Sequence, residues 1–129
     1  MDSPTGKILI VDDEPPLLKM MSLYLGRLGF SVSTASTTEK AWAMVGAAPS
    51  EFECVVIDAT MAGMSMRELA LRILAADPKI CVLAASGYPV DMSEVEAEAP
   101  GRVEFLHKPF TPEMLATAVR RMLAPQKEV

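Results

Sequence analysis

The sequence predicts an α/β fold: a doubly wound, five-stranded parallel sheet in the order 2-1-3-4-5. Two patterns predict it. Strand-like and helix-like stretches alternate five times along 129 residues, as in a parallel sheet joined by right-handed crossovers. The strand-like stretches also differ in kind. Those at 8–11, 54–57 and 80–85 are apolar without a break, as expected where helices cover both faces of a sheet. Those at 31–35 and 103–106 are shorter or mixed with polar residues, which suits sheet edges. Three central strands and two edge strands fit this order.

Taken in turn, "KILIV" (7–11) is the first strand and runs into Asp12, Asp13 and Glu14. Glu14 introduces the first helix, whose N-terminus favours negative charge. That helix, 15–28, opens on a double proline and repeats Leu17, Met21, Leu25 and Leu28 at helical spacing. "SVSTA" (31–35) is the second strand, and Ser36 with Glu39 reads as the capping box of the next helix. "CVVID" (54–58) is the third strand, and Ser65 with Glu68 reads as a second capping box. "ICVLAA" (80–85) is the fourth. The acidic segment 89–100, ending in "APG", carries the poorest helical signal. "VEFL" (103–106) is the fifth strand. The last helix, 112–124, has Thr111 as N-cap, Pro112 as first helical residue, and Leu115, Val119 and Met122 on one face beside Ala118 and Leu123.

The composition narrows the function. Half the residues are apolar, 5% are aromatic and ten are Met, which implies an aliphatic core with Met filling gaps. The length fits one domain, residues 1–129 with a core over 6–124, short tails and no output domain. A net charge of −5 argues against direct nucleic-acid binding, which needs Lys and Arg facing phosphates. Cys54 and Cys81 sit in apolar runs without a CxxC spacing and read as buried thiols of a reducing compartment. No signal peptide and no run long enough to span a bilayer is visible, so no membrane insertion is expected and the expected location is the cytoplasm.

In doubly wound sheets, ligands bind beyond the carboxyl ends of the strands, near the switch in strand order. Asp12 and Asp13 follow the first strand, Asp58 ends the third, Ser86 and Gly87 follow the fourth, and His107 and Lys108 follow the fifth. Three carboxylates, a hydroxyl and a lysine therefore converge. Carboxylates so close raise one another's pKa, and a divalent cation relieves this; hard oxygen ligands suit Mg²⁺, which binds one or two carboxylates together with waters and phosphate oxygens. The set is arranged for an incoming phosphoryl group. Asp58, rigid at the end of a central strand, is the candidate nucleophile. Asp12 and Asp13 serve the metal, and Lys108 and Ser86 stabilise the oxygens.

With these residues in place, the sequence resembles the receiver domain of two-component response regulators, of the chemotaxis-regulator type. The resemblance covers residues 6 to about 124 and rests on "ILIVDDEP" (8–15), "VVIDATMAGM" (55–64), "LAASGY" (83–88) and "FLHKPF" (105–110) in that order. It implies a flavodoxin-like arrangement in which Asp58 accepts a phosphoryl group from a phosphohistidine on a sensor histidine kinase or histidine phosphotransfer protein. Asp13 would bind Mg²⁺ directly, Asp12 mainly through metal-bound water, and Thr60 through its backbone carbonyl. Ser86 would bond the phosphoryl group and swing towards it, Phe105 would turn inward as the aromatic switch, and Lys108 would pair with phosphate. The Lys108–Pro109 bond would be cis. The signal would leave by the fourth helix, fifth strand and fifth helix to a downstream protein, in some members through phosphorylation-dependent dimerisation. Thr60 and Tyr88 occupy the two positions that set phosphoryl lifetime, and a bulky Tyr88 implies slow loss of phosphate.

The sequence departs from the family's D-x-x-M-P-x-M-x-G loop, with Ala62 for Pro and Met66 for the last Gly. Gly63 is expected to supply the flexibility, and Met66 to lie exposed at a re-shaped helix start. His107, the sole histidine, reads as a half-exposed residue at an edge strand rather than a phosphate donor. Three other functions compete with the phosphoacceptor. An aspartyl-phosphate phosphatase would carry D-x-D-x-T, but "DATMA" lacks the second Asp. A nucleotide-binding module would carry a Gly-rich phosphate loop, and none is present. A phosphorylation-independent pseudo-receiver would not need the intact set of Asp12, Asp13, Asp58, Ser86 and Lys108. The expectation is a self-phosphorylating signalling protein, not a conventional enzyme.

Overall fold

The computed structural model describes residues 6–48 and 50–123. Five parallel strands form one sheet in the order β2-β1-β3-β4-β5, where β1 is Lys7–Val11, β2 Ser31–Ala35, β3 Cys54–Asp58, β4 Cys81–Ser86 and β5 Val103–His107. The helices between and after them are α1 (Pro15–Arg27), α2 (Thr38–Ala47), α3 (Met66–Ala76), α4 (Ser93–Glu98) and α5 (Pro112–Leu123). Sheet order and edge positions are those expected from the polarity of the strands. The fourth strand is shifted by one residue: Ile80 precedes it and Ser86 is its last member.

Alternation along each strand divides the core into two layers. Ile8, Ile10, Cys54, Val56, Cys81 and Leu83 face α1 and α5, where Met21, Leu25, Leu115 and Val119 cover them. Leu9, Val11, Val55, Ile57, Val82 and Ala84 face the other side, against Val45, Leu69, Ile73 and Val95. Every residue of β3 and β4 is buried, which is why 54–57 and 81–85 are apolar without a break before the buried Asp58 and Ser86 that end the two strands. Cys54 and Cys81 are cross-strand neighbours in this register. Burial pushes the Cys54 thiol up, and Cys81 Sγ donates to the Met122 carbonyl at 3.7 Å.

The helix starts correct one cap. Thr37, not Ser36, caps α2, its side chain accepting the Lys40 N–H at 3.0 Å. Glu39 is therefore not half of a capping box. Ser65 does cap α3, accepting the Glu68 N–H at 3.0 Å, while the Glu68 carboxylate turns outward to Arg72. Thr111 accepts the Met114 N–H at 3.0 Å and Pro112 opens α5, as expected. Glu14 is the N-cap position of α1 but makes no side-chain cap bond. The two prolines follow at the first helical positions, where a missing N–H costs nothing. Helix α4 is only six residues long.

Met66 corrects a second expectation. It is buried, at 3% exposure, because it heads the apolar stripe Met66, Leu69, Ala70, Ile73 of α3. The substitutions at Ala62 and Met66 leave the helix start regular. The chain turns at Gly63, whose φ of +84° lies in the region open to glycine.

Candidate functional site

The register of the central strands builds the site. Val11 pairs with Ile57 across β1 and β3, so one step further along come Asp12 and Asp58, on strands about 4.8 Å apart. Both continue the alternation of Ile10 and Val56. Asp12 and Asp58 are 3% and 4% exposed, and Asp13 is exposed beside them. Carboxylate oxygens of the three lie within 4.8 Å of one another.

Lys108 reaches this cluster from beyond β5. Its Nζ lies 3.4 Å from Asp58 Oδ2 and 3.7 Å from Asp12 Oδ2. Its backbone N–H donates to the Ser86 carbonyl at 2.8 Å, which ties the residue to the end of β4. The Lys108–Pro109 bond is cis, as the resemblance implied. Burial holds the Asp12 carboxyl above its ordinary range. Nearby Asp58 pushes in the same direction, and the Glu14 N–H at 3.0 Å and Lys108 oppose it.

Thr60 closes the other side of Asp58. Its N–H donates to Asp58 Oδ1 at 3.1 Å, and its hydroxyl lies 3.0 Å from Oδ1 and 3.2 Å from Oδ2. These contacts are additional to the carbonyl role and lifetime position expected for Thr60. They arise from the tight turn after β3, which no spacing in the sequence announces.

Ser86 is fully buried at the end of β4, its Oγ accepting the Tyr88 N–H at 3.2 Å. Tyr88 is 59% exposed. Phe105 is half-buried on β5, edge-on to His107 with ring centroids 5.0 Å apart. His107 is exposed rather than half-exposed. The structure thus joins Asp12, Asp13, Asp58, Thr60 and Lys108 directly. Ser86 and Tyr88 sit at the adjacent strand end, and Phe105 lies two residues before His107 on the neighbouring edge.

The donor set fits a hard divalent cation. Three carboxylates with oxygens this close, two of them buried and one held above its normal range by that burial, form a pocket of negative charge that Lys108 only partly balances. Among the described residues no helix is long and apolar enough to cross a membrane.

Comparison with known proteins agrees with this geometry. The family model of the response regulator receiver domain matches residues 8–120. The DNA-binding transcriptional regulator NtrC of Bradyrhizobium sp. (strain RP501 Parasponia) is 30% identical over 125 residues, covering 97% of this chain and 26% of the relative. The C4-dicarboxylate transport transcriptional regulatory protein DctD of Rhizobium meliloti is 32% identical over 120 residues, covering 92% and 25%. The chain therefore spans about a quarter of the length of these curated relatives. Among solved structures, chemotaxis protein CheY4 of Vibrio cholerae superposes with a TM-score of 0.79 at 27% identity, over 93% of this chain and 100% of that one. A receiver domain protein from Clostridium thermocellum gives 0.82 at 24% identity, over 95% and 97%. A family match running from β1 through α5, on a 2-1-3-4-5 sheet with its acids at the switch point, means that the chain belongs to the receiver domain family of two-component response regulators.

Proposed function

We propose that this receiver domain is a Mg²⁺-dependent phosphoacceptor whose nucleophile is Asp58. The observation that carries the reading is the convergence of Asp12, Asp13 and Asp58 with Lys108 3.4 Å from the acceptor carboxylate. Asp13, Asp58 and the Thr60 carbonyl would hold the cation, with Asp12 acting mainly through its water. When bound, Mg²⁺ supplies positive charge that offsets the repulsion between the carboxylates and the incoming phosphoryl oxygens.

The donor is a phosphohistidine on a histidine kinase or phosphotransfer protein. An Asp58 oxygen attacks phosphorus, the O–P bond forms as the N–P bond breaks, and the imidazole nitrogen leaves and takes up a proton. Lys108 fixes the carboxylate before transfer and follows the phosphoryl charge after it. The Thr60 N–H and hydroxyl hold the acceptor carboxylate in one orientation. Ser86, buried and accepting the Tyr88 N–H through its Oγ, turns its hydroxyl to donate to a phosphoryl oxygen. That movement is read out by Phe105 and the face formed by α4, β5 and α5. The product is a conformational state rather than a released compound, and water slowly removes the phosphoryl group.

The test is intact mass after incubation with Mg²⁺ and acetyl phosphate. Wild type should gain one phosphoryl group and Asp58→Asn none. An unchanged wild-type mass, with no Mg²⁺ binding by calorimetry, would assign the chain to the pseudo-receivers instead.

A further inference from the structure

The β3–α3 loop, residues 59–65, carries Thr60 against the acceptor and joins Asp58 to the cap Ser65. At its start the Ala59 N–H donates to the Ala85 carbonyl at 2.8 Å. At its end Ser65 caps α3 by accepting the Glu68 N–H. Among the described residues, one polar contact reaches residues 61–64 from outside the loop: Glu39 Oε2 accepts the Met64 N–H at 2.9 Å.

The fit around that carboxylate is close. A Cβ at Gly63 would stand 2.6 and 2.9 Å from the two Glu39 oxygens, so a side chain there would push the carboxylate off the loop, and the φ of +84° independently favours glycine. On the other side the fully buried Thr38 places its hydroxyl 3.3 Å from Glu39 Oε1. The Met64 N–H is the main influence holding the Glu39 carboxyl below its ordinary range. This contact lies 25 residues from its partner in sequence and explains why Glu39 does not serve the helix cap.

We propose that Glu39 is a positioning residue for the acceptor site: from the first turn of α2 its carboxylate clamps the β3–α3 loop at Met64 and thereby holds Thr60 in place beside Asp58. Glu39 touches neither the metal ligands nor the phosphoryl group. It acts through backbone that a loop without this bond would leave free to rearrange. The inference rests on the phosphoacceptor reading, because the loop supplies both the Thr60 hydroxyl on Asp58 and the carbonyl assigned to the cation.

Three variants test it: Glu39→Ala, Glu39→Gln and Gly63→Ala. Each is measured for Mg²⁺ affinity by calorimetry, phosphorylation rate with acetyl phosphate, urea stability, and exchange of the Met64 amide by NMR. Glu39→Ala should weaken Mg²⁺ binding and slow phosphorylation by about 3- to 10-fold each, the scale of one charge-assisted hydrogen bond at an exposed site. The Met64 amide should lose protection. Glu39→Gln keeps an oxygen acceptor and should recover most of the affinity, the rate and the protection. Gly63→Ala should reproduce the alanine phenotype with Glu39 present, and adding Glu39→Ala to it should cost little more. Wild-type affinity and rate in Glu39→Ala would overturn the proposal, as would a loss of urea stability with affinity and rate unmoved. Should wild type itself neither bind Mg²⁺ nor take up phosphate, the phosphoacceptor reading fails and this one with it. Normal wild-type behaviour beside an indifferent Glu39→Ala removes only the clamp.

Discussion

Replacing Lys108 by Met tests the electrostatic logic of the site, because Met keeps an apolar stem of similar length and deletes the charge. Lys108 Nζ lies 3.4 Å from Asp58 Oδ2 and 3.7 Å from Asp12 Oδ2, and the lysine side chain is 24% exposed. At an effective dielectric constant of about 20, Coulomb's law gives about 5 kcal/mol for the nearer pair and about 4.5 kcal/mol for the farther. Desolvation of the three groups offsets much of that gross attraction. Deleting one partner of a buried ion pair costs about 3–5 kcal/mol in practice, and the partial exposure of Lys108 brings the expected loss down to about 2 kcal/mol. That loss should appear in EDTA at neutral pH. In saturating Mg²⁺ it should shrink below about 1 kcal/mol, because the cation supplies the positive charge that the variant lacks. The same argument makes Mg²⁺ bind the variant more tightly, since a competing cation has gone. Urea unfolding followed by far-UV circular dichroism, with and without Mg²⁺, measures both stabilities. An equal loss in the two buffers would refute the reasoning, and would mean that Lys108 contributes through the packing of its stem.

Asp12 sets a pH dependence. Its carboxyl is held above the ordinary 3.8, chiefly by burial, so the folded chain binds more protons than the unfolded one as pH rises past that value. Stability from this group is therefore present below pH 3.8 and lost as pH rises through the folded pKa. In EDTA, Asp12→Asn should be more stable than wild type at neutral pH and should lose that advantage at acidic pH; a pH-independent difference in urea midpoints counts against the argument. Ser65→Ala removes the acceptor for the Glu68 N–H, with an expected loss of about 1 kcal/mol and a fall in Tm of about 3–6 °C for a domain of this size, measured by calorimetry. Tyr88 is exposed beside Ser86, free to cover a phosphoryl group. Tyr88→Ala should shorten the lifetime of phospho-Asp58, followed by loss of radiolabel, and an unchanged lifetime would show that the ring shields nothing.

What the sequence carried, and what it did not, divides by the range of the interaction. The sheet was legible because burial on both faces forces β3 and β4 to be apolar up to their last residues, Asp58 and Ser86, and polarity marks the edges. The acid cluster was legible for the same reason: strands end where the apolar run ends, and the fold brings those ends together. The miss at Ser36 came from a local pattern with a distant competitor. "STT" offers three hydroxyls in a row, and Glu39 stands three residues after the first, as a capping box requires. The carboxylate instead meets the Met64 N–H, and the backbone becomes helical one residue later, so Thr37 makes the cap. Met66 is different, because its signal was present: it falls in helical step with Leu69, Ala70 and Ile73, a stripe that outweighs the expectation drawn from the glycine it replaces. The Thr60 contacts and the Glu39 contact share one origin, the path of the loop between β3 and α3. That path is fixed by Gly63 and by residues far away in sequence, so its polar contacts become readable only once α2 and β3 are side by side. Strand ends place the acids of this site, and a loop contacted from a neighbouring helix carries Thr60 against Asp58.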